Sequence, residues 1–491
     1  MGGIIVSIAF VIAAILSTAL GSLAVALLSR EEKGLRNGVV VGSALLGMIL
    51  VWHLGFAIPS GVYPEISLAI ASLSLKLAVD PLGLTYGLIA STLWVFASVY
   101  SIGYLHGDDK QKQYFTFFLL SAGITLGLAF SGNLFTFYLF YELLTFATYP
   151  LVVHSGTKDA LQAGTKYIKY SLVGASFILA GIVMLAFGTG GILDFASLPT
   201  ALAGLPLGRL VVIFFLFLLG FGVKAAIMPL HGWLPAAMVA PTPVSALLHA
   251  VAVVNAGVFG ILRTVYSVFG ADLVQSMGVR PFLLLICSIT ILMGSLIALR
   301  QDVLKRRLAY STISQLAYIL LGAFLLHPLA LAGAILHMIF HSTLKIVLFF
   351  SAGIVAEETG YLKVSELSGV GRVLPLTMGS FGLISLGMIG MLPLSGFWSK
   401  YYLLRGSLVT GSWPLLVVLL VSGILNAFYF IPITVSAFSG QSELLPRKRT
   451  RLVWLMLAPT LVLAILGVVL GLWPGLTWPL VHAVVNQFFI L

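Results

Sequence analysis

The chain has 491 residues, of which 60% are hydrophobic and only 8% charged, with a formal net charge of +11. So small a charged fraction excludes a water-soluble globular protein of this size. A single cysteine, Cys287, excludes an internal disulfide and four-thiolate iron–sulfur ligation within the chain, and the absence of GxGxxG and Walker A patterns leaves no visible nucleotide site.

Apolar runs of about 20 residues, long enough to cross a hydrocarbon layer about 30 Å thick, recur along the whole sequence. They predict an all-α integral membrane protein with about fourteen spanning helices. The first, 4–29, has no basic start and is followed at once by Arg30, Glu31, Glu32 and Lys33, so it reads as a retained span rather than a cleaved signal. The next spans are 38–57 and 82–105. Between these two, residues 58–81 form the longest outside segment, and the apolar stretch 67–80 is expected to lie on the membrane surface or dip into it. Spans 114–130, 133–153, 165–188, 209–239 and 243–269 follow, then 280–299, 308–326, 329–355, 373–407 and 413–438. The last is 452–473, leaving a short tail. No linker or soluble domain interrupts the series, so residues 1–491 read as one polytopic membrane domain.

The positive charge could suggest a nucleic-acid partner, but its placement argues for a lipid bilayer and no nucleic acid. With loops assigned alternately to the two faces, eighteen of the 26 basic residues fall on one side. Five fall on the other: Lys76, Arg209, Arg263, Arg280 and Arg405. The positive-inside rule puts the richer side in the cytoplasm and both termini outside, in the inner membrane of a prokaryote.

The three remaining basic residues, Lys224, Lys345 and Lys400, lie inside apolar runs, as does Glu142. A charge at membrane depth costs roughly 3 kcal/mol even on lenient scales, which makes it a functional candidate by default. Two spans, the seventh and the twelfth, also look broken. One carries Pro229 and Gly232, the other Pro393 and Gly396, each in the pattern Pro-Leu-x-Gly followed by an aromatic residue. Proline removes an amide donor and glycine lets the helix open. Lys224 precedes its proline and Lys400 follows its own, as two inverted repeats would arrange them. The plain alternative is that Pro and Gly simply occur in membrane helices.

The stretch KAAIMPLHGWLPAAMVAPTPVSALLHA (224–250) is similar to the signature of the antiporter-like subunits of complex I, of Mrp-type cation/proton antiporters and of membrane-bound hydrogenases. YELLTFATYPLV (141–152), QDVLKRRLAYSTISQLAYILLG (301–322) and PLSGFWSK (393–400) agree with it. The resemblance implies a fourteen-helix fold with two inverted five-helix repeats, 114–269 (helices 4–8) and 280–438 (helices 9–13). It implies that Glu142, Lys224, Lys345 and Lys400 match the family's buried proton-transfer positions. The long lateral helix of some members is absent, and Lys400 stands where others carry glutamate. The chain thus resembles most the D-type antiporter subunit and its counterparts in archaeal hydrogenase-type complexes.

Lysine can release its proton where arginine cannot. Glu142 and Lys224 could therefore act as a switch that holds the proton when paired and frees it when apart; the alternative is a static ion pair. His337, His341 and Lys345 fall at i, i+4 and i+8 on one helix face, where histidines can relay protons near neutral pH or simply pack against carbonyls. Zinc binding by the two histidines lacks the protease glutamate and a third ligand, so no metal and no cofactor is expected. His249 would link Lys224 to this row, and His231 would satisfy carbonyls freed at the first break. The path then runs along the mid-plane through Glu142, Lys224, His249, His337, His341, Lys345 and Lys400. The cytoplasmic run Arg300, Asp302, Lys305, Arg306 and Arg307 reads as a topology anchor, or as a docking surface or point of proton uptake.

The first reading is a proton-translocating subunit without a catalytic centre of its own. Its partners would be other membrane subunits and peripheral redox subunits with iron–sulfur clusters. The second is a subunit of a multi-subunit sodium/proton antiporter without redox partners, moving protons and sodium. The third, a quinone-binding redox subunit, has no motif to support it.

Overall fold

The computed structural model describes residues 2–57, 64–70, 73–439 and 451–489. Within hydrocarbon a backbone must satisfy its own polar groups, and a helix does this inside one segment. The apolar runs accordingly form α1 (Gly2–Leu27), α2 (Lys33–Ala57), α3 (Pro81–Tyr104), α4 (Gln111–Ala129), α5 (Leu134–Val152) and α6 (Lys158–Gly188). Then come α7 (Leu207–Lys224), α8 (Thr242–Ala250), α9 (Val253–Leu262), α10 (Arg280–Arg300), α11 (Leu304–Phe324) and α12 (Pro328–Thr359). The last are α13 (Pro375–Ile389), α14 (Ser395–Val409), α15 (Pro414–Ser439), α16 (Arg451–Leu472) and α17 (Trp478–Phe488). Side-chain caps set several starts. Asp80 accepts from the Gly83 amide, Asn133 from Thr136 and Thr157 from Ala160. The Thr157 cap starts α6 seven residues before the expected boundary at 165, because the polar turn 158–164 continues the helix beyond its apolar part.

Among the described residues, ten helical stretches are long and apolar enough to cross a membrane. α4, α5 and α11 are not among the ten, although they have the necessary length. Their polar side chains lower the hydropathy, and burial explains why they are tolerated: 17 of the 21 residues of α11 are buried inside the bundle. The outer surface is apolar instead, with Leu20, Phe56, Phe187 and Ile465 exposed.

Three features depart from the expected pattern. Residues 67–80 do not simply lie on the surface, and the chain is not purely α. Glu65–Ile70 and Leu73–Ala78 form an antiparallel hairpin, β1 and β2; residues 58–63 and 71–72 lie outside the described residues. The reason is a period of two: Ile66 opposes Leu77 and Leu68 opposes Leu75, so apolar pairs share one face. Asn133 and Thr136 at the start of α5 bond Ser74 and Lys76 of β2. The expected tail after the last span is partly helical as well. Its helix α17 is 11 residues long, too short to span, and lies against the hairpin side, where Phe488 packs on Tyr266 and Gln487 bonds Asp80. Finally, the expected span 243–269 is interrupted between Ala250 and Val253 and ends in a π-helical turn, Arg263–Phe269.

Thr242–Phe269 and α12 are buried along their apolar lengths and form the centre of the bundle. Loops assigned by sequence to the same face do meet. His154 bonds Asp108 at 2.8 Å, joining the α3–α4 and α5–α6 loops. At the opposite end Arg280 donates to Ser412 at 3.2 Å.

At the two spans expected to be broken, α7 stops at Lys224 and the chain turns through 225–232, while α13 stops at Ile389 and α14 begins at Ser395. Both turns rely on close backbone approach. A Cβ on Gly257 would lie 2.2 Å from the Ala225 nitrogen, and one on Gly396 would lie 1.9 Å from the Gly387 oxygen. Gly396→Ala should therefore destabilise the protein by about 1–3 kcal/mol, read as a lower thermal midpoint in detergent. Gly423→Ala, with nothing within 4 Å of its new Cβ, should be neutral or slightly stabilising. Equal midpoints for the two variants would show that the Gly396 contact does not hold the break.

Candidate functional site

The first break brings Lys224 to the end of α7, 1% exposed. Its Nζ donates to the Tyr141 carbonyl at 2.6 Å and sits over the Tyr141 ring, 3.5 Å from the centroid. The helix end is closed by Trp233, whose indole donates to the Val223 carbonyl at 2.7 Å, and the Met228 amide finds Thr290 at 3.2 Å. Glu142, next to Tyr141, is not ion-paired with Lys224 at 4 Å or less. Its Oε1 is buried with no partner among the described residues. The two members of the expected switch are thus apart here, and the backbone of Tyr141 takes the ammonium.

At the second break Lys400 lies on the first turns of α14 and reaches back to α13. Its Nζ donates to the carbonyls of Met388 and Ile389, both at 2.8 Å. A cation at a helix C-terminus is favoured by the helix dipole as well as by these bonds. Its ammonium also lies 5.2 Å from the centroid of the Tyr318 ring.

Between the breaks, the central helices carry the rest of the row. Lys345 donates to Ser311 Oγ at 2.6 Å. His337 and His341 stack with ring centroids 6.1 Å apart, as their one-turn spacing requires. His337 Nδ1 bonds Ser399 at 2.9 Å, which ties α12 to the residue before Lys400. His249 is fully buried against Phe349 with centroids 4.8 Å apart, and neither of its nitrogens has a protein partner. Asn255 bridges the interruption in the central helix, donating to the Ala250 carbonyl at 2.7 Å and to Ser342 at 2.9 Å. Among the described residues no direct hydrogen bond joins any two of Glu142, Lys224, His249, His337, His341, Lys345 and Lys400. His231 lies outside this row, with its ring 6.1 Å from that of Tyr310. No cluster of three or more His, Cys, Asp and Glu side chains occurs among the described residues.

Sequence reasoning missed the neutral members of the site: Tyr141, Asn255, Ser311, Tyr318 and Ser399. For α11 the signal was present, since Ser311, Gln315 and Tyr318 recur at helical spacing within an apolar run. The carbonyl of Tyr141 could not be found that way, because any residue supplies one.

The charge run at 300–307 is mostly occupied by the chain itself. Lys305 donates to the Ala240 carbonyl and Arg307 to the Gln301 carbonyl, both at 2.8 Å. Asp302 accepts from the Ser365 hydroxyl at 2.8 Å and its amide at 3.0 Å. These bonds, the hydroxyl's first, hold the Asp302 carboxyl below its ordinary pKa. A lowered folded-state pKa means that the contact is fully stabilising above the ordinary carboxylate pKa and is lost as pH falls through the lowered value. The Ser365 amide should stay protected from hydrogen exchange at neutral pH and lose protection below about pH 4, after correction for the intrinsic rate. Protection that survives acid would show that the carboxylate does not hold this loop.

Residues 131–426 match the family model described as NADH:quinone oxidoreductase/Mrp antiporter, transmembrane. Subunit N of NADH-quinone oxidoreductase from Desulforudis audaxviator is 36% identical over 81% of this chain and 82% of its own length. Subunit A1 of the Na(+)/H(+) antiporter from Staphylococcus aureus is 32% identical over 82% of this chain, and the match spans about half, 53%, of that longer relative. In fold, the chain matches one from the membrane-bound sulfane sulfur reductase, an archaeal respiratory membrane complex. The TM-score is 0.87 at 23% identity, over 98% of this chain and 97% of that one.

Proposed function

The chain belongs to the NADH:quinone oxidoreductase/Mrp antiporter family, and on that premise we propose that it is a proton-translocating, antiporter-like membrane subunit of a complex I-related respiratory or hydrogenase-type complex. Partner subunits with iron–sulfur clusters release the redox energy; this chain moves the protons. The observation that carries this reading is the state of three lysines, Lys224 and Lys345 fully buried and Lys400 half-buried. Lys224, Lys345 and Lys400 are bonded to carbonyl or hydroxyl oxygens, and among the described residues none has a carboxylate within 4 Å. A buried ammonium held by neutral groups alone is far easier to discharge than one locked to a carboxylate.

The path runs from Glu142 and Lys224 through His249 to His341, Lys345 and His337, and on to Lys400, with water completing the links. Side chains on one helix face touch only their immediate neighbours, and buried polar atoms without protein partners call for ordered water. Residues 114–269 and 280–438 form two inverted repeats. In each, the first two helices pack together and the third packs on the broken one. α4, α5 and α11 complete the set of spans, and α13 with α14 makes one more, giving fourteen with both termini on the outer face of a prokaryotic inner membrane. The half-exposed Glu142 lies on a flank where Leu143 and Phe146 are exposed. A carboxylate there needs cover from a neighbouring membrane subunit.

A multi-subunit sodium/proton antiporter without redox partners is the second reading, favoured by the 32% identity to an antiporter subunit A1. Vesicles holding the intact complex, with a pH-sensitive dye, separate the two: transport driven only by the redox reaction supports the first, and transport driven by a sodium gradient alone supports the second. Glu142→Ala and Lys224→Ala should each abolish coupled transport, with the complex still assembled. Lys345→Arg should fail as well, because arginine does not release its proton at working pH. Wild-type transport in all three would sink the path.

A further inference from the structure

α11 and α12 pack antiparallel across the centre of the bundle. Ser311, Gln315 and Tyr318 stand at i, i+4 and i+7 on α11, which is one face of a helix. Two contacts fix how this face meets α12: Ser311 receives the Lys345 ammonium at 2.6 Å, and Tyr318 stacks on His337 with centroids 5.3 Å apart. One helical turn inward from both contacts, Gln315 falls at the level of His341.

Gln315 is fully buried, and neither its Oε1 nor its Nε2 has a partner among the described residues. The same holds for both nitrogens of His341 and of His249, for His337 Nε2 and for Asn255 Oδ1. Asn255 bonds Ser342, the neighbour of His341, so these atoms converge on one region. Native proteins very rarely leave so many buried donors and acceptors unmatched. A region with this many unmatched donors and acceptors is polar enough to hold water.

We propose that Gln315 is a positioning residue of the proton path, orienting the water that joins His341 to Lys345 on one side and to His337 on the other. This rests on the transport reading above. The chemistry of the amide suits the task. It donates through Nε2 and accepts through Oε1, so it can order a water in either direction, yet it takes up no proton itself and does not become a stopping point. The titratable groups around it are His337, His341 and Lys345 on α12, Tyr318 on its own helix, Tyr429 on α15, His249 on α8 and Lys400 on α14. A carboxylate at 315 would face several of these and favour their charged forms. An imidazole would keep one donor and one acceptor at similar reach.

The test uses the intact complex in lipid vesicles, energised by its own driving reaction and probed with a pH-sensitive dye. Rates are normalised to assembled complex. Gln315→Leu should slow transport by roughly tenfold or more, Gln315→His should recover to within about twofold of wild type, and Gln315→Glu should shift the pH dependence of the rate. Lys345→Ala, run alongside, tests the path itself. If Lys345→Ala is inactive while Gln315→Leu matches wild type in rate and pH profile, the role of Gln315 is overturned and the path stands. If Leu and His impair transport equally, Gln315 merely fills space and the proposal also falls. If Lys345→Ala transports at the wild-type rate, the path falls and the role of Gln315 with it.

Discussion

When Lys400 donates to the carbonyls of Met388 and Ile389, it closes the C-terminal end of α13. A helix that stops inside hydrocarbon leaves its last carbonyls unpaired, and each unpaired group costs several kcal/mol by most measures. The first break meets the same demand with other groups: the Trp233 indole takes the Val223 carbonyl, and Thr290 takes the Met228 amide. The rest of the architecture follows from keeping these ends closed. Glycine at 257 and 396 lets neighbouring backbones approach them, and the central helices are shut away from lipid so that polar side chains can reach them.

The interrupted central helix extends this logic. At the interruption between Ala250 and Val253 the Asn255 amide takes the Ala250 carbonyl and the Tyr86 hydroxyl the Val251 carbonyl. His249 sits directly before that interruption, and the Arg263–Asp80 pair fixes the far end of the same segment. Gln487 of the last helix bonds the same Asp80. A polar group at mid-depth is therefore tied through one continuous segment to the surface where the hairpin and α17 meet.

How much of this was legible in the sequence varied with the physical signal. The misplaced charges, the paired Pro-Leu-x-Gly breaks and the 224–250 signature are local, and they named the lysines and histidines of the site. The hairpin was not legible, because an alternating segment only six residues long per strand looks like any apolar loop until its partner is known. The gap after Ala250 was invisible for the opposite reason: AVAVVNAGVFG is uniformly apolar apart from Asn255, with no proline to mark it. The separation of Glu142 from Lys224 could not be read either. Sequence gives the helices that carry two charges, whereas the choice of acceptor depends on a backbone carbonyl at Tyr141.

Two cations at the hairpin end of the bundle are held by carboxylates. Lys76 lies 3.0 Å from Glu65 and 3.3 Å from Asp194, and Arg263 is bonded by Asp80 through both guanidinium nitrogens. Within the bundle, Lys224, Lys345 and Lys400 donate to carbonyls and a hydroxyl, and an aromatic ring lies beside each. Burying a locked pair is close to neutral in energy, since attraction offsets desolvation, and such a pair resists change. An ammonium held by neutral oxygens has no such counterweight, so a small shift of the acceptor or of one nearby charge alters its hold on the proton. Rigid pairs at the rim and loosely held protons inside are complementary. The first fixes the ends of the segments, and the second leaves their middles free to respond.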